Sequence, residues 1–135
     1  MTRTFIDSGV LIAAARGNDE VAMRAFQVLD DSQRVFVTSD FVRLEVLPKA
    51  IYHRNDDEAE FYETFFNGAQ WSAPVSDSLV SQAHIEASNF GLSAIDALHI
   101  AAAKTAGAEE LITTEKSTKP LFRVTGITVT TIRSQ

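Results

Sequence analysis

The sequence predicts an α/β fold with a mostly parallel central sheet, and three observations carry that prediction. Short runs of β-forming residues alternate along the chain with longer segments of helical periodicity. The strand cores "TFI" and "LIT" are continuously apolar rather than alternating, which suits strands buried on both faces. At 135 residues the chain has room for one sizeable core. With no repeat, linker or low-complexity stretch, residues 1–135 read as a single domain.

Taken in order, "RTFID" (Arg3 to Asp7) is short, rich in β-formers and ends in an acid, and "SGVLIAAARG" follows as a short helix. In "NDEVAMRAFQVLDD", the residues Val21, Ala22, Ala25, Val28 and Leu29 fall at helical spacing. "RVFVTS" is a second strand. Asp40 is then expected to cap a helix in "FVRLEVLPKAIYHRN", which Pro48 is expected to kink or divide. "DDEAEFYETFFNGA" opens on an acidic turn and sets Phe61, Tyr62, Phe65 and Phe66 at helical spacing. "QWSAPVS" holds a weak strand, and "DSLVSQAHIEASNFG" is a helix closed by Gly91. "GLSAIDALHIAAAKTAG" is a helix that is apolar on all sides after Ser93. "EELITTE" and "ITVTTI" are the last strands, with the turn-rich "KSTKP" between them.

The formal net charge of −6 and the pI near 4.9 exclude a protein that coats nucleic acid through bulk positive charge. They leave room for an enzyme that meets phosphates through bound metal ions. The absence of cysteine excludes disulfides and thiolate metal sites, and it is compatible with the reducing cytoplasm, the expected location. No apolar run approaches the roughly 20 residues of a membrane span. In "MTRTFIDSGVLIAAARGNDE", Asp7 interrupts a very short basic region, so this reads as a strand end rather than a signal peptide.

Four acids stand out from this background. Asp96 lies in the first turn of the all-apolar helix, where an unpartnered carboxylate is costly to bury. The spacing of Ser93 and Asp96 fits a capping box, which gives Asp96 a purely structural reading. Asp7 and Glu115 follow the strand cores "TFI" and "LIT", so neighbouring parallel strands would set both at the edge where ligands bind. Glu45 sits about one turn into its helix among Leu44, Val46 and Leu47, too deep for a simple cap. Each has a plain alternative: Asp7 as a helix cap, Glu45 paired with Arg43 or Lys49, Glu115 as a loop acid beside Lys116. Brought together, the four would repel one another unless protons or cations intervened. Hard oxygen donors without cysteine suit Mg²⁺ or Mn²⁺, ions able to orient a phosphodiester and activate water.

In this order and spacing, "FIDSGVLIAAA", "VRLEVLPKAIYHR", "GLSAIDALHIAAAKTAG" and "ELITTEK" resemble the PIN domain over essentially the whole chain. Within that family the similarity is closest to the VapC-like toxins of bacterial toxin–antitoxin pairs. The resemblance implies a three-layer α/β/α sandwich and a Mg²⁺- or Mn²⁺-dependent endoribonuclease site. Asp7, Glu45 and Asp96 match the family's first three acids. Glu115 stands at the fourth, where the family more often has Asp, and "EKSTKPLF" is longer than the usual stretch after it. Thr113 matches a hydroxyl position near that acid, and Ser8 follows the first acid as a small polar residue. The resemblance further implies RNA as substrate, a cognate antitoxin that blocks or deforms the acidic pocket, and a homodimer. It makes Phe61, Tyr62, Phe65 and Phe66 candidates for a partner interface, with core packing as the alternative.

Other residues carry less. His99, one turn after Asp96, reads as a packed structural histidine, and His53 and His84 lack zinc spacing. Lys116, Lys119 and Arg123, or Arg43, Lys49 and Arg54, could guide RNA phosphates past the acids, with a solvated face as the alternative. A non-catalytic PIN-like interaction module is the rival function and rests on Glu115 replacing Asp. A phosphoacceptor receiver domain would need a paired acidic cluster near the first strand, where Asp7 stands alone. A dinucleotide enzyme would need a G-x-G-x-x-G turn that is absent.

Overall fold

The apolar strand cores assemble into the centre of one sheet. In a computed structural model, which describes residues 1–134, the strands are β1 (Thr2–Ile6), β2 (Arg34–Thr38), β3 (Gln70–Trp71), β4 (Glu110–Thr113) and β5 (Thr128–Thr131). Gln135, which closes the expected 1–135 domain, lies outside the described residues. The strand order is β3-β2-β1-β4-β5 and every pairing is parallel. Phe5 sits in register with Val37 on one side and Leu111 on the other, and all three are wholly buried.

Among the described residues, six helices connect the strands: α1 (Ser8–Arg16), α2 (Glu20–Leu29), α3 (Asp40–Tyr52), α4 (Asp56–Gly68), α5 (Asp77–Phe90) and α6 (Ala94–Thr105). The chain steps outward from β1 to β2 to β3, carrying α1 to α4, then crosses back through α5 and α6 to reach β4 beside β1. Right-handed crossovers, the rule for parallel strands, would set α1–α4 on one face of the sheet and α5–α6 on the other. The packing agrees, with α1 against α2, α3 and α4, and α5 against α6. The expected α/β/α sandwich is therefore observed. Because β1 has its successors on opposite sides, the chain reverses direction there, and the carboxyl end of β1 lies at the switch point where open sheets form clefts.

Two local expectations need correction at α3. Its N-cap is Ser39, whose hydroxyl accepts from the Val42 N–H, and Asp40 is the first helical residue, where its charge still complements the helix dipole. Pro48 does not divide the helix, which runs unbroken from Asp40 to Tyr52. The ring points to solvent while Val46, Leu47 and Ala50 anchor the same turns in the core, so packing outweighs one missing backbone bond. A third correction concerns α4. Tyr62 and Phe66 are wholly buried, an i, i+4 pair facing inward, and so belong to the core rather than to a partner interface. Phe61 and Phe65 are half-buried, against Phe26 and Phe36 respectively.

Helix α5 ends as expected, with Gly91 in the left-handed conformation (φ 68°) and its N–H bonded to Ala87 O. In α6, Ala97, His99, Ile100, Ala101, Ala102 and Ala103 are all buried, as its apolar circumference requires. A half-buried ion pair went unforeseen: Glu86 on α5, itself buried, accepts from Lys104 Nζ on α6 at 2.6 Å. After β4, the expected turn region leads into a short 3₁₀ segment (Pro120–Arg123) that buries Leu121 before β5.

Candidate functional site

Asp7 follows the last residue of β1, and its N–H donates to Ile112 O (3.0 Å), prolonging the β1–β4 ladder by one bond. This fixes its carboxylate at the sheet's carboxyl edge. Oδ1 accepts from the Ser8 N–H (2.9 Å), so Asp7 is also the N-cap of α1. Oδ2 accepts from the Thr113 hydroxyl (2.7 Å), which in turn accepts from the Glu115 N–H (3.1 Å). One buried hydroxyl thus joins the two strand ends and sets both acids. The approach of α1 to β4 also explains Gly9, whose missing Cβ would fall 2.2 Å from Thr114 Oγ1.

Glu45 comes from α3 and is half-buried. Its Oε1 lies 2.6 Å from His99 Nε2. Burial raises its pKa, but His99 by hydrogen bond and charge, the Ser8 hydroxyl and the Lys49 ammonium together bring it below the usual value. Arg43 takes no part: it pairs with Glu63 at 2.8 Å and lies over the Phe66 ring, 5.6 Å from its centroid.

Asp96 is half-buried in the first turn of α6, where its N–H donates to Ser93 Oγ (3.3 Å), so the capping interaction is present. Burial pushes its carboxyl upward, and the charges of Asp7 and Glu115 push the same way; His99 and the Ser93 hydroxyl oppose them without prevailing. Asp96 therefore feels Asp7 and Glu115 as like charges. Glu115 itself is half-buried, two residues beyond the end of β4.

The tightest grouping among the described residues comprises Asp7, Glu45 and His99, with one donor atom from each all within 4.8 Å of one another. Asp96 and Glu115 stand beside this group rather than inside it. His99 is buried and tilted against Phe5 (centroids 5.7 Å apart), so the packed reading holds for its ring. That reading missed where Nε2 points. The i, i+3 spacing from Asp96, which sets both on one face of α6, was the signal that could have found it. Lys116, Lys119, Arg54 and Arg123 are exposed; Arg123 reaches back to Phe90 O (3.5 Å). Chemically, four carboxylates meet one imidazole and one nearby ammonium. That surplus of negative oxygen donors fits a hard divalent cation.

Residues 4–119 match the PIN domain family model. No curated protein matches the sequence. Among solved structures, the chain superposes on a toxin–antitoxin complex from Klebsiella pneumoniae with TM-score 0.73 and 20% identity, covering 98% of this chain and 99% of that one. It superposes on VapBC2 from Rickettsia felis bound to a promoter DNA fragment with TM-score 0.72 and 11% identity, covering 96% and 98%. VapC20 from Mycobacterium tuberculosis, a sarcin–ricin loop cleaving toxin, gives TM-score 0.63 and 17% identity over 80% and 86%. At such identities the likeness is one of fold, and the chemistry must be argued from the acidic edge itself.

Proposed function

Because the chain belongs to the PIN domain family, we propose that it is a metal-dependent endoribonuclease that hydrolyses RNA phosphodiester bonds, the toxin of a toxin–antitoxin pair. The observation that carries this reading is the convergence of Asp7, Glu45, Asp96 and Glu115 on the carboxyl end of the two central strands. In this reading the four carboxylates hold Mg²⁺ or Mn²⁺. When bound, the cation supplies water activation and stabilisation of the leaving oxygen. The chain's own residues do the positioning. Thr113 and the Ser8 N–H fix the Asp7 carboxylate, Ser93 caps the turn bearing Asp96, and Glu115 reaches in from the loop after β4. Exposed Lys116 and Lys119 follow Glu115 in the chain, where they could meet phosphates.

RNA as substrate draws support from the neighbour described as a sarcin–ricin loop cleaving toxin, and an antitoxin partner from the neighbours described as toxin–antitoxin complexes. Among the described residues no helix is long and apolar enough to cross a membrane, and the reading places the single domain in the cytoplasm. The homodimer forms, in this reading, through the exposed apolar face of α3.

The decisive experiment compares wild type with Asp96→Asn, purified identically and free of antitoxin. A panel of structured and single-stranded RNAs is incubated with Mn²⁺, Mg²⁺ or EDTA. Cleavage that requires metal and falls to background in a folded Asp96→Asn protein is the expected result. Equal trace cleavage by both proteins would instead favour a non-catalytic interaction module.

A further inference from the structure

We propose that His99 is a positioning residue: it keeps a hydrogen on Nε2, donates it to Glu45 Oε1, and so turns that carboxylate toward Asp7 while leaving any cation to oxygen donors alone. Only the last clause rests on the metal-nuclease reading above.

The imidazole and the carboxylate differ in freedom. The His99 side chain is 3% exposed and packed on Phe5, whereas that of Glu45 is 32% exposed and comes from a different element than Asp7. The fixed partner therefore sets the mobile one. Nε2 lies 2.6 Å from Glu45 Oε1 but 3.9 Å from Asp7 Oδ1, so its hydrogen bond goes to Glu45. A bare nitrogen lone pair at 2.6 Å from a carboxylate oxygen would be repulsive, which puts the hydrogen on Nε2.

The far side of the ring argues against ligation by His99. To bind a cation, Nε2 would have to release its hydrogen, and the neutral ring would carry it on Nδ1. A ligating histidine ordinarily gives that second N–H to a carboxylate or carbonyl, which locks the tautomer. Nδ1 of His99 is buried and has no partner among the described residues. Ligation through Nε2 would thus require a buried Nδ1–H with no partner among the described residues to fix that tautomer. Although Asp7, Glu45 and His99 lie close enough to share an ion, the ring is built to hold Glu45.

Three measurements test this. In metal-free protein, long-range ¹⁵N–¹H correlation NMR of the imidazoles reads the tautomer directly. Hydrogen on Nε2 is expected; a neutral ring with its hydrogen on Nδ1 overturns the proposal. With Mn²⁺ bound, electron spin-echo modulation should show no directly coordinated imidazole nitrogen, and a ¹⁴N coupling that disappears in His99→Gln refutes the oxygen-only set. Mn²⁺ titration followed by EPR then compares variants. His99→Gln, which offers an amide N–H near the same place, should bind within about 3-fold of wild type, and His99→Leu, which packs but cannot donate, about 10- to 100-fold more weakly. Equal affinity in all three proteins would remove the positioning role. Wild type that binds no Mn²⁺ would defeat the metal reading and the oxygen-only clause with it, while the NMR result decides the hydrogen bond separately.

Discussion

At the scale of single residues, the site depends on short polar side chains as much as on its acids. Thr113 is wholly buried, and its hydroxyl serves both Asp7 Oδ2 and the Glu115 N–H. Thr113→Val keeps the shape and deletes both bonds. We expect it to destabilise the protein by about 1–3 kcal/mol in urea denaturation, because a buried carboxylate oxygen loses its donor. Asp96 gives the opposite sign. Its folded pKa lies above the ordinary 3.8, so the native state holds that proton more tightly than the unfolded chain. This contribution is present at low pH and is lost as pH rises through and beyond 3.8. Metal-free Asp96→Asn should therefore gain on wild type in stability as pH rises from about 4 toward 7. Added Mn²⁺ should oppose that gain, since only wild type keeps the full anionic set. Melting curves with and without metal check both halves. Glu45 and Asp96 were legible as acids in apolar helical surroundings, Asp7 and Glu115 as acids at strand ends, and Thr113 through the family resemblance. The hydrogen bond of His99 and the Glu86–Lys104 pair were not, since their partners are 54 and 18 residues away, and no local pattern encodes such pairings.

At the scale of elements, strands and helices were legible because periodicity and apolar runs are local signals, and even the two-residue β3 falls where a weak strand was expected. The errors came where tertiary packing competes with a local preference. Ser39 and Asp40 are both good caps, and the sequence alone does not say which one turns the helix start. Pro48 is a strong breaker locally, yet α3 is held through it by Val46, Leu47 and Ala50. The cost of that compromise is measurable. Pro48 is exposed within the helix, where proline leaves the Leu44 carbonyl without its N–H partner. Pro48→Ala restores the donor and should stabilise the protein by about 1–3 kcal/mol, the lower end reflecting the freer unfolded chain. A higher urea midpoint at unchanged slope is the expected signature. An unchanged midpoint would mean that α3 has already adapted to the ring.

At the scale of the whole molecule, the acid edge and one bare apolar surface share a helix. Glu45 points from α3 toward Asp7, while Leu44, Ile51 and Tyr52 of the same helix are 70%, 60% and 80% exposed. With Leu47 and Pro48 they line a depression of about 590 Å³. Scattered apolar residues need no explanation, but a contiguous stripe along two turns of one helix does. The ends of that stripe differ in charge, with Asp40 at the start of α3 and Lys49 and Arg54 near its end. A two-fold axis across α3 would bring unlike ends together and cover the apolar middle, which is what a self-complementary interface requires. Sedimentation of the antitoxin-free protein should then report a dimer. Ile51→Lys puts a charge into the apolar interface once from each copy, where desolvation penalises it, and should weaken the dimer about 10-fold or more, roughly 1.4 kcal/mol. Because Ile51 is exposed, the fold of the monomer should change by less than about 0.5 kcal/mol. A wild type that remains monomeric at high concentration would reject the homodimer and leave the α3 face to a different partner. A dimer insensitive to Ile51→Lys would move the interface to another surface, and with it the link between self-association and the helix that carries Glu45.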